Sequence, residues 1–416
     1  MAKTAVLFPA TKCATQYTAL AFVLGVGIAM PVSAGEEGAT ASSVSATPDT
    51  IKVELRYRLE HVEQSNALEN ALANTLRARV TAHKHLHARL TAEVELDHVE
   101  AVGGDTYNST VNGKTQYSVV ADPRGTDVNQ ALLRYRQQSS GTDIAAGRMR
   151  INQLNQRFLG GVGWRQNEQT YDGVRLQQRI AEQLTLDVAR ITNVNRIFGP
   201  KGPQANQRGE IYASNLHWQL QSNHRISAFH YDYDFRDWAV QSTQTFGLDY
   251  QGAVALQNHK PIALHAVVAR QTDAHHNPAD YSHHYHRFTA AWTFHELSVN
   301  AGVERLAGNG VTALQTPLAT LHAFQGFTDL FLVTPADGVR EQFMKLGHRF
   351  GELQVALGYH RFEADVNRRD YGSEWNIVAT KRFHNGIAAQ FKYADYQAKN
   401  YAVDTRKAWL MLTYYL

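Results

Sequence analysis

The sequence predicts an all-β protein, a transmembrane antiparallel up-and-down β-barrel of about eighteen strands with short periplasmic turns and long extracellular loops. Three observations carry this reading. Segments of strict apolar/polar alternation recur along most of the chain. Their connections alternate between short and long. The chain ends inside such a segment, with no polar tail.

The first 34 residues read as a secretory signal: Lys3 and Lys12, the apolar run Ala19–Met30, then Val32-Ser33-Ala34 as a small-residue cleavage site. The run is too short to span a membrane as a helix, and no later stretch is apolar for long enough. The single cysteine, Cys13, lies in this leader, so the expected mature chain has no disulfide and no thiol chemistry. Residues 35–50 are small and polar and read as a flexible periplasmic lead-in. The barrel is expected over 51–416.

Ile51, Val53, Leu55, Tyr57 and Leu59 form one face of the first strand, and Lys52, Glu54, Arg56, Arg58 and Glu60 the other. This is the period and length of a strand that crosses a bilayer. Leu76–His83 and Leu86–Asp97 repeat the pattern around a turn expected at 84–85. The Gly-, Asn-, Asp- and Thr-rich stretch 98–127 reads as a loop. Ala131, Leu133 and Tyr135 resume the apolar face opposite Arg134 and Arg136, and 138–141 turns into 143–151.

Further strands are expected near 171–180, 184–193, 210–220, 225–234, 244–256, 262–271, 285–294, 297–305, 341–350, 353–362, 372–382 and 387–396. Short turns fall at 181–183, 221–224, 257–261, 295–296, 351–352 and 383–386. In the last of these, Asn385-Gly386 suits a type I′ hairpin. The closing strand, Ala408–Leu416, should pair with the first, since an open edge has no place in hydrocarbon. It is also the segment expected to engage the outer-membrane insertion machinery.

The alternation sorts lumen from lipid. Expected pore-lining and solute-binding residues are Lys52, Arg56, Arg77, Arg79, Glu93, Glu95, Arg134, Arg136, Arg148 and Arg150, with Arg157, Arg165 and Arg196 in polar loops. Later strands are expected to add Asp232, Asp249, Glu304 and Glu374 against Lys392 and Lys407, so that the two walls bear opposite signs. Guanidinium groups bind carboxylates through a planar fork. The expected role is therefore a channel for small polar, anionic or sugar-like solutes in the outer membrane of a Gram-negative cell, among lipopolysaccharide. The long loop 306–340 can fold inward or cap the mouth.

A net charge of only +3 excludes a nucleic-acid coat. No nucleophile motif marks an enzyme, and no cofactor is expected. The histidines at 275–286 lack fixed metal spacing, so no metal is assigned to them.

The stretch Gly147–Asp172, with Asn129–Tyr135, Asn193–Gly199, Gln315–Phe324 and the final strand, resembles the alginate export family of outer-membrane barrels. The resemblance implies an eighteen-stranded barrel with an arginine-rich lumen, and an alternative role as an export channel for an anionic polysaccharide.

Overall fold

The computed structural model describes residues 49–257 and 259–416, without the side chain of His259. The expected signal, 1–34, and the lead-in up to residue 48 lie outside the described residues. Eighteen antiparallel strands form one closed sheet among the described residues. They are β1 (Thr50–Gln64), β2 (Ala71–His87), β3 (Leu90–Thr106), β4 (Gly125–Gln137), β5 (Thr142–Met149), β6 (Thr170–Ala181), β7 (Leu184–Asn195), β8 (Asn206–Gln221) and β9 (His224–Phe235). They continue as β10 (Thr243–Leu256), β11 (His259–Asp273), β12 (Ser282–Phe294), β13 (Leu297–Leu306), β14 (Val339–Phe350), β15 (Leu353–Glu363), β16 (Asp370–Arg382), β17 (Ile387–Ala398) and β18 (Thr405–Tyr415).

Each strand pairs with its neighbour in sequence, and β18 closes on β1 with Glu54 opposite Tyr415 and Gln64 opposite Thr405. Closure leaves no edge, as a hydrocarbon setting requires.

The side-chain period of two builds the wall. Leu133 and Val174, each 50% exposed, lie on the outward face with Val80 and Leu96. Arg58, Glu60 and Arg77 are at most 1% exposed on the inward face. Apolar side chains outside and buried charges inside invert the usual soluble arrangement, and only a lipid surround makes that stable.

Three local expectations need correction. The turn expected at 84–85 lies at 88–89, because the alternation simply runs on through His87. There the Asp49 carboxylate accepts from the His85 amide at 2.9 Å. The loop expected at 98–127 is shorter, since β3 extends to Thr106 and β4 begins at Gly125. Above the bilayer both sheet faces are wet, so polar residues can remain in a strand there. Turn 383–386 is not type I′: Asn385 does not take positive φ, and only Gly386, at +82°, is left-handed. Its amide donates to the Phe383 carbonyl at 3.3 Å, the pattern of a type I turn followed by a left-handed glycine.

Candidate solute pathway in the lumen

Two long connections, 150–169 between β5 and β6 and 307–338 between β13 and β14, fold inward and meet. Leu159 and Leu318 form a bridge, Gly160 N–H donates to the Leu318 carbonyl at 2.9 Å, and Thr320 N–H donates to the Gln156 carbonyl at 3.0 Å. Gly160 is required at this crossing, because a Cβ would strike the Thr320 hydroxyl and the Gln156 side chain. Leu154, Gln156, Val162, Gln325 and Asp329 hold positive φ in these loops. Each such residue costs about 1–3 kcal/mol and persists only where its surroundings over-determine it.

The surroundings are the inner wall. Arg56 donates to the carbonyls of Gly163 and Arg165 at 3.0 Å each, and Arg58 donates to that of Trp164. Gln166 N–H donates to Asp122 at 3.0 Å, and its amide nitrogen donates to the Thr75 hydroxyl at 2.9 Å. From the other loop, the backbone N–H groups of Phe327 and Thr328 donate to Glu374. His322 stacks on Trp164 with ring centroids 3.4 Å apart. Its Nδ1–H donates to Asp329 at 2.8 Å while Nε2 accepts from Lys392, which fixes a neutral tautomer. Burial drives this imidazole down to about 3. The same burial opposes the charge of Asp329, but His322 and Lys407 outweigh it and hold that carboxyl below its usual range.

Arg56 and Arg77 are direct cross-strand partners on the inner wall, and Arg79 lies opposite Glu54. Arg79 grips Asp97 with two bonds of 2.7 and 2.6 Å and reaches Glu168 at 3.1 Å. Arg150 bonds Glu168 and lies 3.0 Å from Glu95. Burial would raise the Glu168 carboxyl, yet Arg150 and Arg79 pull it far below the usual carboxylate range. Arg157 pairs with Glu304 at 3.0 Å, and Arg165 pairs with Glu60 at 3.0 Å. Glu93 lies inward, 3.5 Å from His83 and accepting from Gln130.

Lys52, Arg134 and Arg136 keep the inward parity but stand at the periplasmic end of the barrel, while Arg148 and Arg196 fall elsewhere. Lys52 is exposed at the periplasmic end of β1, and Arg134 and Arg136 share Asp143 beside a periplasmic turn. Arg148 shares its parity with Ile144 and Ala146, so it belongs to the outward face, where it pairs with Asp172 at 2.8 Å. Arg150 escapes that parity because β5 stops at Met149 and the chain turns in. Arg196 sits in the loop after β7, over the rings of Phe198 at 4.7 Å and Trp238 at 5.1 Å.

The opposite wall is not the acid surface expected. Arg287 lies over Phe324 and Phe343 at 5.6 and 5.5 Å, Lys345 over Phe343 at 5.2 Å, and Lys392 over Phe327 at 3.6 Å. Glu341 pairs with His360 at 2.5 Å and Asp249 with His265 at 2.6 Å. Asp232 faces outward, because β9 turns Phe229, Tyr231, Tyr233 and Phe235 inward against Phe158. Arg287 and Lys345 escape the sequence reading, although strict alternation with Tyr285 and Phe343 marks them. His275 pairs with Asp232, His283 bonds Thr312, and His284 and His286 stack outside, so the histidines disperse to separate places.

Several inner donors remain unspent. Among the described residues, the buried Nε–H groups of Arg56, Arg77 and Arg287 have no hydrogen-bond acceptor. A buried guanidinium donor without a partner is costly and suits an anionic oxygen.

No family model matches the chain, and no curated protein matches it. Solved structures do. The chain is similar to Acinetobacter baumannii OccAB4, with 15% identity and a TM-score of 0.70 over 90% of this chain and 100% of that one. Pseudomonas aeruginosa OccK9 (OpdG) matches with 13% identity and a TM-score of 0.70 over 88% of this chain and 98% of that one. Pseudomonas aeruginosa OpdK, solved with vanillate, matches with 10% identity and a TM-score of 0.66 over the same 88% and 98%.

The expected membership of the alginate export family is thereby overturned, since the structural neighbours are of the Occ and Opd type. The stretches that carried the resemblance, Gly147–Asp172 and Gln315–Phe324 foremost, lie largely in the two inward loops, where amide, glycine and arginine residues answer to packing inside a barrel.

Proposed function

We propose that the chain is an outer-membrane channel of a Gram-negative cell that passes small polar anions, carboxylates foremost. The lumen guides them past arginines and lysines on both walls. The observation that carries this reading is the placement of cations on facing walls, Arg56 opposite Arg77 on one and Arg287 with Lys345 around Phe343 on the other, in a lumen narrowed by two inward loops. Paired carboxylates at Glu168, Glu95 and Glu60 hold neighbouring arginines in place and temper their field. A path of this kind attracts an anion without trapping it, which conduction requires. Vanillate in the structure of OpdK, an aromatic carboxylate, supports the same ligand class.

Liposome swelling tests the proposal. Vesicles containing the refolded chain should admit a small carboxylate faster than an ammonium solute of equal size. Arg56→Ala with Arg77→Ala should erase that preference while leaving the heat-resistant folded band on a gel. Equal rates for both solutes in the unaltered protein would overturn it.

A further inference from the structure

The outward face of β12 to β15 carries a feature that a channel does not use. At the extracellular ends of these strands His286 lies opposite Arg305, Arg305 opposite Arg340, and Arg340 opposite Glu363. Arg305 and Arg340 share the parity of Val303 and Met344, so they point away from the lumen. Like charges directly opposite on a sheet repel. A single buried carboxylate, Asp365, bridges them, accepting from Arg305 Nε at 2.6 Å and Arg340 Nε at 2.7 Å. Beside them, Arg361 and Arg368 share Glu363 at 3.3 and 3.5 Å. On the outward face four guanidinium groups thus meet two carboxylates, Asp365 and Glu363, beside a cavity of about 250 Å³ that Glu304 and Glu341, of inward parity and paired with Arg157 and His360, also line.

Immediately toward the membrane centre the wall sinks into a hollow of about 900 Å³. The two spaces share Phe288, Val303, Gln342 and Arg361. Ala290 and Ala301 are cross-strand partners at its floor, and Met344 and Tyr359, also paired, form one flank. An excess of positive charge on the extracellular side of an apolar trough is the charge and polarity order of one kind of molecule.

We infer that this face is a binding site for a phosphorylated, acylated glycolipid of the outer leaflet, its phosphate on Arg305, Arg340, Arg361 and Arg368 and an acyl chain along Ala290 and Ala301. Arginine forks suit phosphate oxygens, and a phosphate would relieve the repulsion of the opposed pair. A second copy of this chain would bring only the same excess of positive charge to the cluster if it met it face to face.

Native mass spectrometry of the full chain refolded in a neutral detergent tests the inference. The probes are diphosphoryl hexa-acyl lipid A, inorganic phosphate, and dioleoylphosphatidylcholine. Lipid A should be retained and the other two should not. Arg305→Ala with Arg340→Ala should weaken retention on the order of tenfold or more, as should Ala290→Trp, which fills the hollow. Arg361→Gln with Arg368→Gln, at more exposed positions, serves should the first pair fail to give the folded band. Arg124→Ala, on another extracellular loop, should leave retention unchanged. Equal retention by unaltered protein and folded variants, equal retention of phosphatidylcholine, or a second protein copy in place of lipid would overturn the inference.

Discussion

Arg157→Ala is the substitution that most sharply probes how the inward loops are held. The side chain is 1% exposed. It pairs with Glu304 at 3.0 Å, donates to Gln325 at 3.1 Å and lies 4.7 Å from the Phe324 ring. Removal strips a fully buried carboxylate of its counter-charge, a loss of about 3–5 kcal/mol. Tyr285 and Gln325 still donate to Glu304, at 2.6 and 2.7 Å, which argues for the lower end. At about 1.4 kcal/mol per decade, the docked-to-free ratio of the loops should fall by about two to three powers of ten.

Hydrogen exchange reads this directly, because the Gly160 and Thr320 amides are bonded across the two loops. Peptides covering 156–163 and 318–325 should lose protection by that factor while β13 keeps its own. Arg157→Met with Glu304→Gln should recover much of the loss, since no bare charge remains. Unchanged loop protection in Arg157→Ala would refute the assignment of this ion pair as the latch.

Other perturbations follow the same physics. A free loop would protonate His322 near its usual 6.5, but the docked loop keeps it neutral to about 3. Docking is therefore strongest above about pH 6.5 and weakens as pH falls toward 3; His322→Gln should flatten channel-current noise across that window, and equal noise at both ends in the unaltered protein would count against it. Leu133→Arg places a charge on the lipid face at a cost of about 2–4 kcal/mol if it lies near the midplane, to be read as a shift in the urea refolding midpoint; no shift would mean the residue does not meet hydrocarbon. Gly160→Val should part the two loops at the Thr320 contact and raise exchange at the Thr320 amide, with barrel stability intact; an undisturbed Thr320 amide would show that the crossing tolerates a side chain.

The wall was legible because a two-residue period is a local property. Ile51 to Glu60 announces its own faces, and the alternation of short and long connections orders the strands without any tertiary information. The lumen was legible only in part, because loop placement is not local. Nothing in Arg157 or Glu168 says which strand each will meet, and those partners, Glu304 and Arg79, decide whether a lumenal charge is free or spent. Arg148 shows a second limit. Charge suggested the lumen, parity with Ile144 says otherwise, and only the end of β5 at Met149 separates it from Arg150. In β9 the aromatic residues face in and the aspartates out, because Phe158 brings an apolar surface into the lumen that the strand's own sequence does not disclose.

The reversal potential of single channels in a planar bilayer, under a tenfold KCl gradient, tests the central claim most directly. A lumen governed by Arg56, Arg77 and Arg287 should set a potential of the sign that chloride preference gives, and replacing the three by Gln should move it toward zero. A cation-selective channel, or a chloride preference untouched by the triple replacement, would contradict it.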